Sequence, residues 1–131
     1  NLFKQKSEAL LVYIYDDIEK KATGDAGHWW LEKTLRLHAK KLEQTFNVKL
    51  IILNGEAKKN ISDLVKKYKI TSLIWNRLYS QQSIRRDTEI KKFFKESSIQ
   101  VDTFNSHLLN EPWEVQNNSG QYFKVFTPFW R

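Results

Sequence analysis

The chain has no cysteine, and its 131 residues include only four glycines and two prolines. Without thiols there are no disulfide staples and no thiolate metal sites, which fits a reducing compartment. Gly24, Gly27, Gly55 and Gly120 are too scattered for a phosphate loop, and neither GxGxxG nor a P-loop occurs. No apolar run approaches the roughly 20 residues that cross a bilayer. Asn1–Ser7 is polar and carries no signal-peptide core. His28, His38 and His107 show no metal-binding spacing, and GxSxG is absent. These absences lead us to expect a soluble cytoplasmic domain with no membrane partner and no metal.

What is present suits one domain with a real core: 40% of the residues are hydrophobic. The net charge of +7 permits nucleic-acid contact. The lysines, however, fall in pairs such as Lys20–Lys21, Lys40–Lys41, Lys58–Lys59, Lys66–Lys67 and Lys91–Lys92. Most sit inside helical patterns, so solvated helix faces explain most of the excess.

Ala9–Asp16 (ALLVYIYD) reads as a strand apolar on both sides, as in a sheet covered on both faces. Asp16–Asp17 ends it, and Lys20–Gly27 reads as loop. Leu31, Leu35, His38, Leu42 and Phe46 recur at helical spacing and predict a helix from about His28 to Phe46, stopped by Asn47. Val48–Leu53 is a second strand, followed by the Asn54–Gly55 turn. Ile61, Leu64, Val65 and Tyr68 mark a short helix with Asn60 or Ser62 as N-cap. Ser72–Asn76 is a third strand, Gln81–Ser97 a helix and Ile99–Phe104 a fourth strand. The alternation means βαβ units and a parallel sheet. After Phe104 the periodicity stops. Asn117–Gly120 (NNSG) is a turn between Trp113–Val115 and Tyr122–Val125, which predicts a hairpin-like excursion. Pro128 opens a further helix, and the aromatic end at Phe126, Phe129 and Trp130 asks for a partner surface. No repeat, low-complexity stretch or linker divides the chain.

Candidate site residues lie where α/β sheets bind ligands, after the carboxyl ends of strands. Asp16–Asp17 suits a metal or acid–base pair, though a strand-ending polar pair is the blander account. His38, on an apolar face, is expected to be buried and hydrogen-bonded rather than a ligand. From the residues alone the chain is an α/β ligand-binding domain.

Three segments go further. Gly24–Leu31 (GDAGHWWL), leading into Leu35, His38 and Leu42, resembles G-A-A-S-R-W-W-L followed by a leucine-rich helix, with Asp25, Gly27 and His28 replacing Ala, Ser and Arg. Trp75–Asp87 (WNRLYSQQSIRRD) looks like W-N-R-D-Y-x-P…R-x-R-D, with Leu78 in place of Asp. Leu109–Arg131 (LNEPWEVQNNSGQYFKVFTPFWR) resembles L-x-x-P-W-x-V…x-G-x-x-Y-x-V-F-T-P-F-W-R, the most specific of the three. These patterns are those of the N-terminal α/β domain of DNA photolyases and cryptochromes, and the similarity runs along essentially the whole chain.

The resemblance implies a Rossmann-like three-layer α/β fold, a parallel sheet with helices on both faces. It also implies that 1–131 is one antenna domain whose 105–131 stretch leads as a loop or hairpin toward a C-terminal FAD domain absent from this chain. The family's opening strand, with W-F-R-x-D-L-R-x-x-D-N, is likewise missing, and Asn1 matches the last residue of that motif. In the family this strand lies at the centre of the sheet. Its loss would leave a slot between the Ala9–Asp16 and Ser72–Asn76 strands. We expect the segment to exist in the native protein; in this chain alone, another copy or a swap would fill the slot.

The implied function is light harvesting for a DNA photolyase, a light-dependent carbon–carbon lyase that splits pyrimidine dimers. A pigment of the methenyltetrahydrofolate or deazaflavin type, sometimes a flavin, passes excitation to FAD, and this chain alone is not catalytic. The implied partners are the FAD-binding domain of the parent chain and, through it, damaged DNA. The pigment contacts implied are Tyr15, Asp16, Asp17, Asn76, Arg77, Tyr79, Gln82 and Ser83, with Arg77 holding a pterin or phosphate-bearing tail. Gln82 and Ser83 stand where some folate-binding members carry Asn and Glu. Phe126, Pro128, Phe129 and Trp130 are assigned to the interdomain junction, and Trp29 and Trp30 to helix–sheet packing. The alternatives are a cryptochrome photoreceptor and, leaving the resemblance aside, a nucleotide-binding module of the universal-stress or electron-transfer-flavoprotein kind, which needs the glycine-rich loop not found here.

Overall fold

A computed structural model describes residues 9–130. The chain forms two compact units that meet in sequence at Thr71–Ser72. The first unit holds β1 (Leu11–Tyr15), α1 (Asp17–Ala22), α2 (Asp25–Phe46), β2 (Leu50–Asn54) and α3 (Ala57–Tyr68). The second holds β3 (Ser72–Asn76), α4 (Gln81–Glu96), β4 (Gln100–Phe104) and α5 (Phe126–Trp130). The class is α/β with short parallel strands, as expected.

In the first unit β1 and β2 pair in parallel, Leu11 opposite Leu50 through Tyr15 opposite Asn54. Such a pairing needs a crossover, and α1 and α2 supply it. Asn47 stops α2 in the left-handed conformation, φ 54°, with its amide on Glu43 O at 3.0 Å. The loop expected at 20–27 is largely helical, taken by the end of α1 and the start of α2. Asp16 caps α1: its Oδ1 accepts from the amides of Ile18 and Glu19, each at 3.0 Å. Neither Asn60 nor Ser62 caps α3, which begins earlier, at Ala57. Asn60 Nδ2 instead donates to Asn54 O and Glu56 O, and the Ser62 hydroxyl to Lys58 O. His38 is exposed, contrary to expectation, as are Trp29 and Trp30 at 63% each. The apolar pattern of α2 marks its half-buried positions, Leu31, Leu35 and Leu42, but no residue of that helix is buried.

In the second unit β3 and β4 pair in parallel, Ser72 opposite Gln100 through Asn76 opposite Phe104. Ser80 caps α4 by accepting from Ser83 N, at 3.2 Å. Ile90 and Phe94 of α4 are buried, at 4% and 2% exposure, and so is Val101 of the adjoining β4. The hairpin is not formed. The NNSG turn is present, with Gly120 at φ 70° and its amide on Asn117 O at 2.9 Å, but no strands flank it. The first flank is taken by a local turn, in which Glu114 N donates to Glu111 O and Glu111 N to Glu114 Oε2. Pro128 lies in the first turn of α5, where its missing N–H costs nothing.

Candidate functional site

In the first unit the expected residues sit at the carboxyl end of β1. Asp16 is buried, and its carboxylate is committed to the α1 cap. Asp17 is exposed and lies 3.4 Å from Lys20 Nζ. Both carboxylates thus engage groups of α1, and among the described residues no group of three or more His, Asp or Glu side chains could hold a metal ion.

Tyr15 differs from both. Its hydroxyl and His28 Nε2 are buried, and neither meets a hydrogen-bond partner among the described residues. The two rings meet edge to face, 5.7 Å apart at 87°. Burial raises the Tyr15 pKa and Glu19 adds to this, while the Thr23 hydroxyl works the other way. Buried polar atoms are nearly always satisfied, so two orphans side by side at the ligand edge of a parallel strand are what a polar ligand would complete. Gly27 makes room for this first turn of α2: a Cβ there would come within 2.7 Å of Thr23 Cγ2. Next to this pair, Tyr13 donates to Glu19 Oε1 at 2.5 Å, and burial, then Glu19, raises its pKa.

In the second unit Asn76 and Gln82 are exposed. Ser83 is buried, and its hydroxyl pairs with that of Ser80 at 2.8 Å, which makes it part of the helix cap. Arg77 and Tyr79 are also engaged. Arg77 Nε and Nη2 donate to Glu111 Oε1 and Oε2 at 2.6 and 2.7 Å. Nη1 donates to Thr103 O and Oγ1 at 2.6 and 3.0 Å, and Tyr79 donates to Glu111 Oε1. The guanidinium carbon lies 5.6 Å from the centre of the Trp113 ring. Arg77 thus ties the ends of β3 and β4 to the following loop. The spacing of Trp75 and Asp87 has a similar cause: Trp75 Nε1 donates to Asp87 Oδ2 at 3.3 Å, and Arg86 donates to Oδ1 of the same carboxylate.

The loop and α5 line an open groove of about 400 Å³. Its lining includes Glu111, Pro112, Tyr122, Phe123, Phe126 and Phe129. Phe126 stacks on Trp130 at 5.8 Å, and Phe129 meets both Phe123 and Phe126. Phe126 and Trp130 nonetheless remain 69% and 76% exposed.

The family model for DNA photolyase matches residues 3–131. The chain belongs to the DNA photolyase family. It is 32% identical over 108 residues to the deoxyribodipyrimidine photo-lyase of Agrobacterium fabrum, covering 82% of the chain and 22% of that relative. It is 29% identical over 122 residues to Cryptochrome-1 of Arabidopsis thaliana, covering 93% of the chain and 18% of that relative. Among solved structures, the crystal structure of a bacterial class III photolyase from Agrobacterium tumefaciens superposes with a TM-score of 0.82 at 27% identity, over 98% of this chain and 26% of the other. This photolyase-family chain therefore spans about a quarter or less of these proteins. Among its described residues no helix is long and apolar enough to cross a membrane.

Sequence reasoning missed His28 and Glu111. Both stand inside quoted family segments, His28 where the pattern has Arg and Glu111 within LNEPW; their place in those motifs was the available signal.

Proposed function

We propose that this chain is the single-domain light-harvesting part of a deoxyribodipyrimidine photolyase, holding an antenna pigment for a flavin bound by the rest of the parent protein. The observation that carries the reading is the orphaned pair of Tyr15 Oη and His28 Nε2 at the carboxyl end of β1. A folate- or deazaflavin-type heteroaromatic offers the ring edges and carbonyls such a pair would meet. The exposed Asn76 and Gln82 remain candidate contacts. When bound, the pigment absorbs near-UV or blue light and passes the excitation to FAD. The protein's part is to bind it, exclude water and fix its orientation.

Phe126, Pro128, Phe129 and Trp130 form the face we assign to the flavin domain. In this reading pyrimidine dimers in DNA are the substrate of the whole protein. Among the described residues β1 and β3 each carry one ladder, to β2 and β4 respectively. Each therefore offers an edge for one more strand, from the parent protein or from a second copy. The 29% identity to Cryptochrome-1 supports a second reading, a photoreceptor that signals without repair.

Mass and absorption analysis of the full-length protein purified in the dark tests the proposal. FAD plus a second near-UV or blue pigment, with loss of dimers on illumination, supports the photolyase. Flavin and pigment without repair supports the cryptochrome, and absence of flavin refutes both.

A further inference from the structure

Glu111 is the one buried residue between Asn105 and Val125. Its carboxylate accepts from Arg77 at both oxygens and from Tyr79 at Oε1. Through Arg77 it is joined to Thr103 at the end of β4. Trp113 lies under the guanidinium and also faces Tyr79, with ring centres 6.2 Å apart, while His107 meets the Tyr79 ring at 5.3 Å. The loop is therefore clasped on both sides of Glu111. By contrast, the hydrogen bonds at Asn117 stay within their own turn. Glu111 also lines the open groove that Phe123, Phe126 and Phe129 line.

A two-pronged guanidinium–carboxylate pair fixes angle as well as distance, which an ammonium does not. Placed here, it sets where the loop leaves the sheet of its unit, and so where the exposed aromatic face of α5 is presented. We propose that the Arg77–Glu111–Tyr79 cluster is a positioning latch: by holding the 108–130 segment it sets the orientation of this domain toward the flavin domain, and with it the efficiency of pigment-to-flavin energy transfer. This rests on the antenna reading given above. Glu111 and Arg77 are positioning residues, since neither needs to touch pigment or flavin.

The test uses full-length protein purified in the dark, as wild type, Glu111→Ala and Arg77→Lys. Pigment and flavin occupancies are measured from spectra. Flavin photoreduction is then driven at the pigment band and, separately, at a wavelength only the flavin absorbs. The ratio of the two rates, divided by pigment occupancy, reports transfer alone. We expect Glu111→Ala to lower it at least about twofold, with Arg77→Lys intermediate and direct flavin photoreduction unchanged, because transfer depends on the distance and mutual orientation of pigment and flavin. A merely structural role would reduce occupancy and direct photoreduction together and leave the ratio at the wild-type value; that result overturns the latch. Should Glu111→Ala fail to fold, Arg77→Lys, which keeps the charge, decides the matter by the same ratio. A wild-type protein with flavin but no second pigment overturns the antenna reading and this inference with it, whereas a normal wild-type ratio matched by both variants overturns the latch alone.

Discussion

Arg77 and Glu111, separated by 34 positions, meet in a two-pronged ion pair, with Nε–Oε1 at 2.6 Å and Nη2–Oε2 at 2.7 Å. The arginine directly follows a strand, Ser72–Asn76, whose shape is plain in the sequence; the glutamate belongs to a loop with no periodic pattern at all. Burial works against the ionised Glu111, but hydrogen bonds from Arg77 and Tyr79 outweigh it and hold its pKa below the usual 4.5. A carboxyl whose pKa is lower folded than unfolded stabilises the fold above the unfolded value, and that contribution is lost as pH falls through the folded value. Glu111→Gln should therefore melt below wild type at pH 7, and the gap should shrink as pH drops below about 4.5. Thermal melts at a series of pH values check this; a gap that widens on acidification would contradict it.

The core of the second unit rests on Phe94, 2% exposed, beside Ile90 and Val101. Phe94→Ala should cost about 3–5 kcal/mol, the usual range for emptying an aromatic site. Urea unfolding of the full-length protein, followed by a probe in this domain, measures the loss.

These two cases show how far the sequence carried. Ser72–Asn76 was read with the boundaries the structure has, because a short β-rich run between a helix and a turn has few alternative readings. Helix α1 was missed because it is only six residues long and owes its start to Asp16, whose side chain looked like a strand end or a metal ligand. That Arg77 and Tyr79 share Glu111 is not legible locally, because this partner lies more than thirty positions on, beyond the reach of any local pattern. His38 and the Trp29–Trp30 pair followed an apolar rhythm that the structure leaves exposed.

Gly27→Ala should destabilise the first unit although Ala favours helices, because its Cβ would meet Thr23 Cγ2 at 2.7 Å while the Thr23 hydroxyl is held by Glu19 O. The expected loss is about 1 kcal/mol. In a Thr23→Ala background the same change should turn stabilising, by up to about 1 kcal/mol, as helix propensity then decides. Denaturation of the four proteins of this double-mutant cycle separates the clash from the propensity.

Tyr15→Phe removes a hydroxyl that has no partner in the described structure. In pigment-free protein the substitution should leave the melting temperature unchanged or raise it. In pigment-loaded protein it should weaken pigment retention about tenfold, since a hydrogen bond is then lost. Equilibrium dialysis of the pigment, paired with melts of both forms, distinguishes the two effects.

The central claim is that this chain harvests light for a flavin it does not itself hold. The most direct measurement is the action spectrum of dimer repair by the full-length protein, at equal photon flux across the near-UV and blue. The account predicts a maximum that follows the absorption of the second pigment and collapses to the flavin spectrum when that pigment is removed. An action spectrum that follows the flavin alone while the second pigment is bound would contradict it.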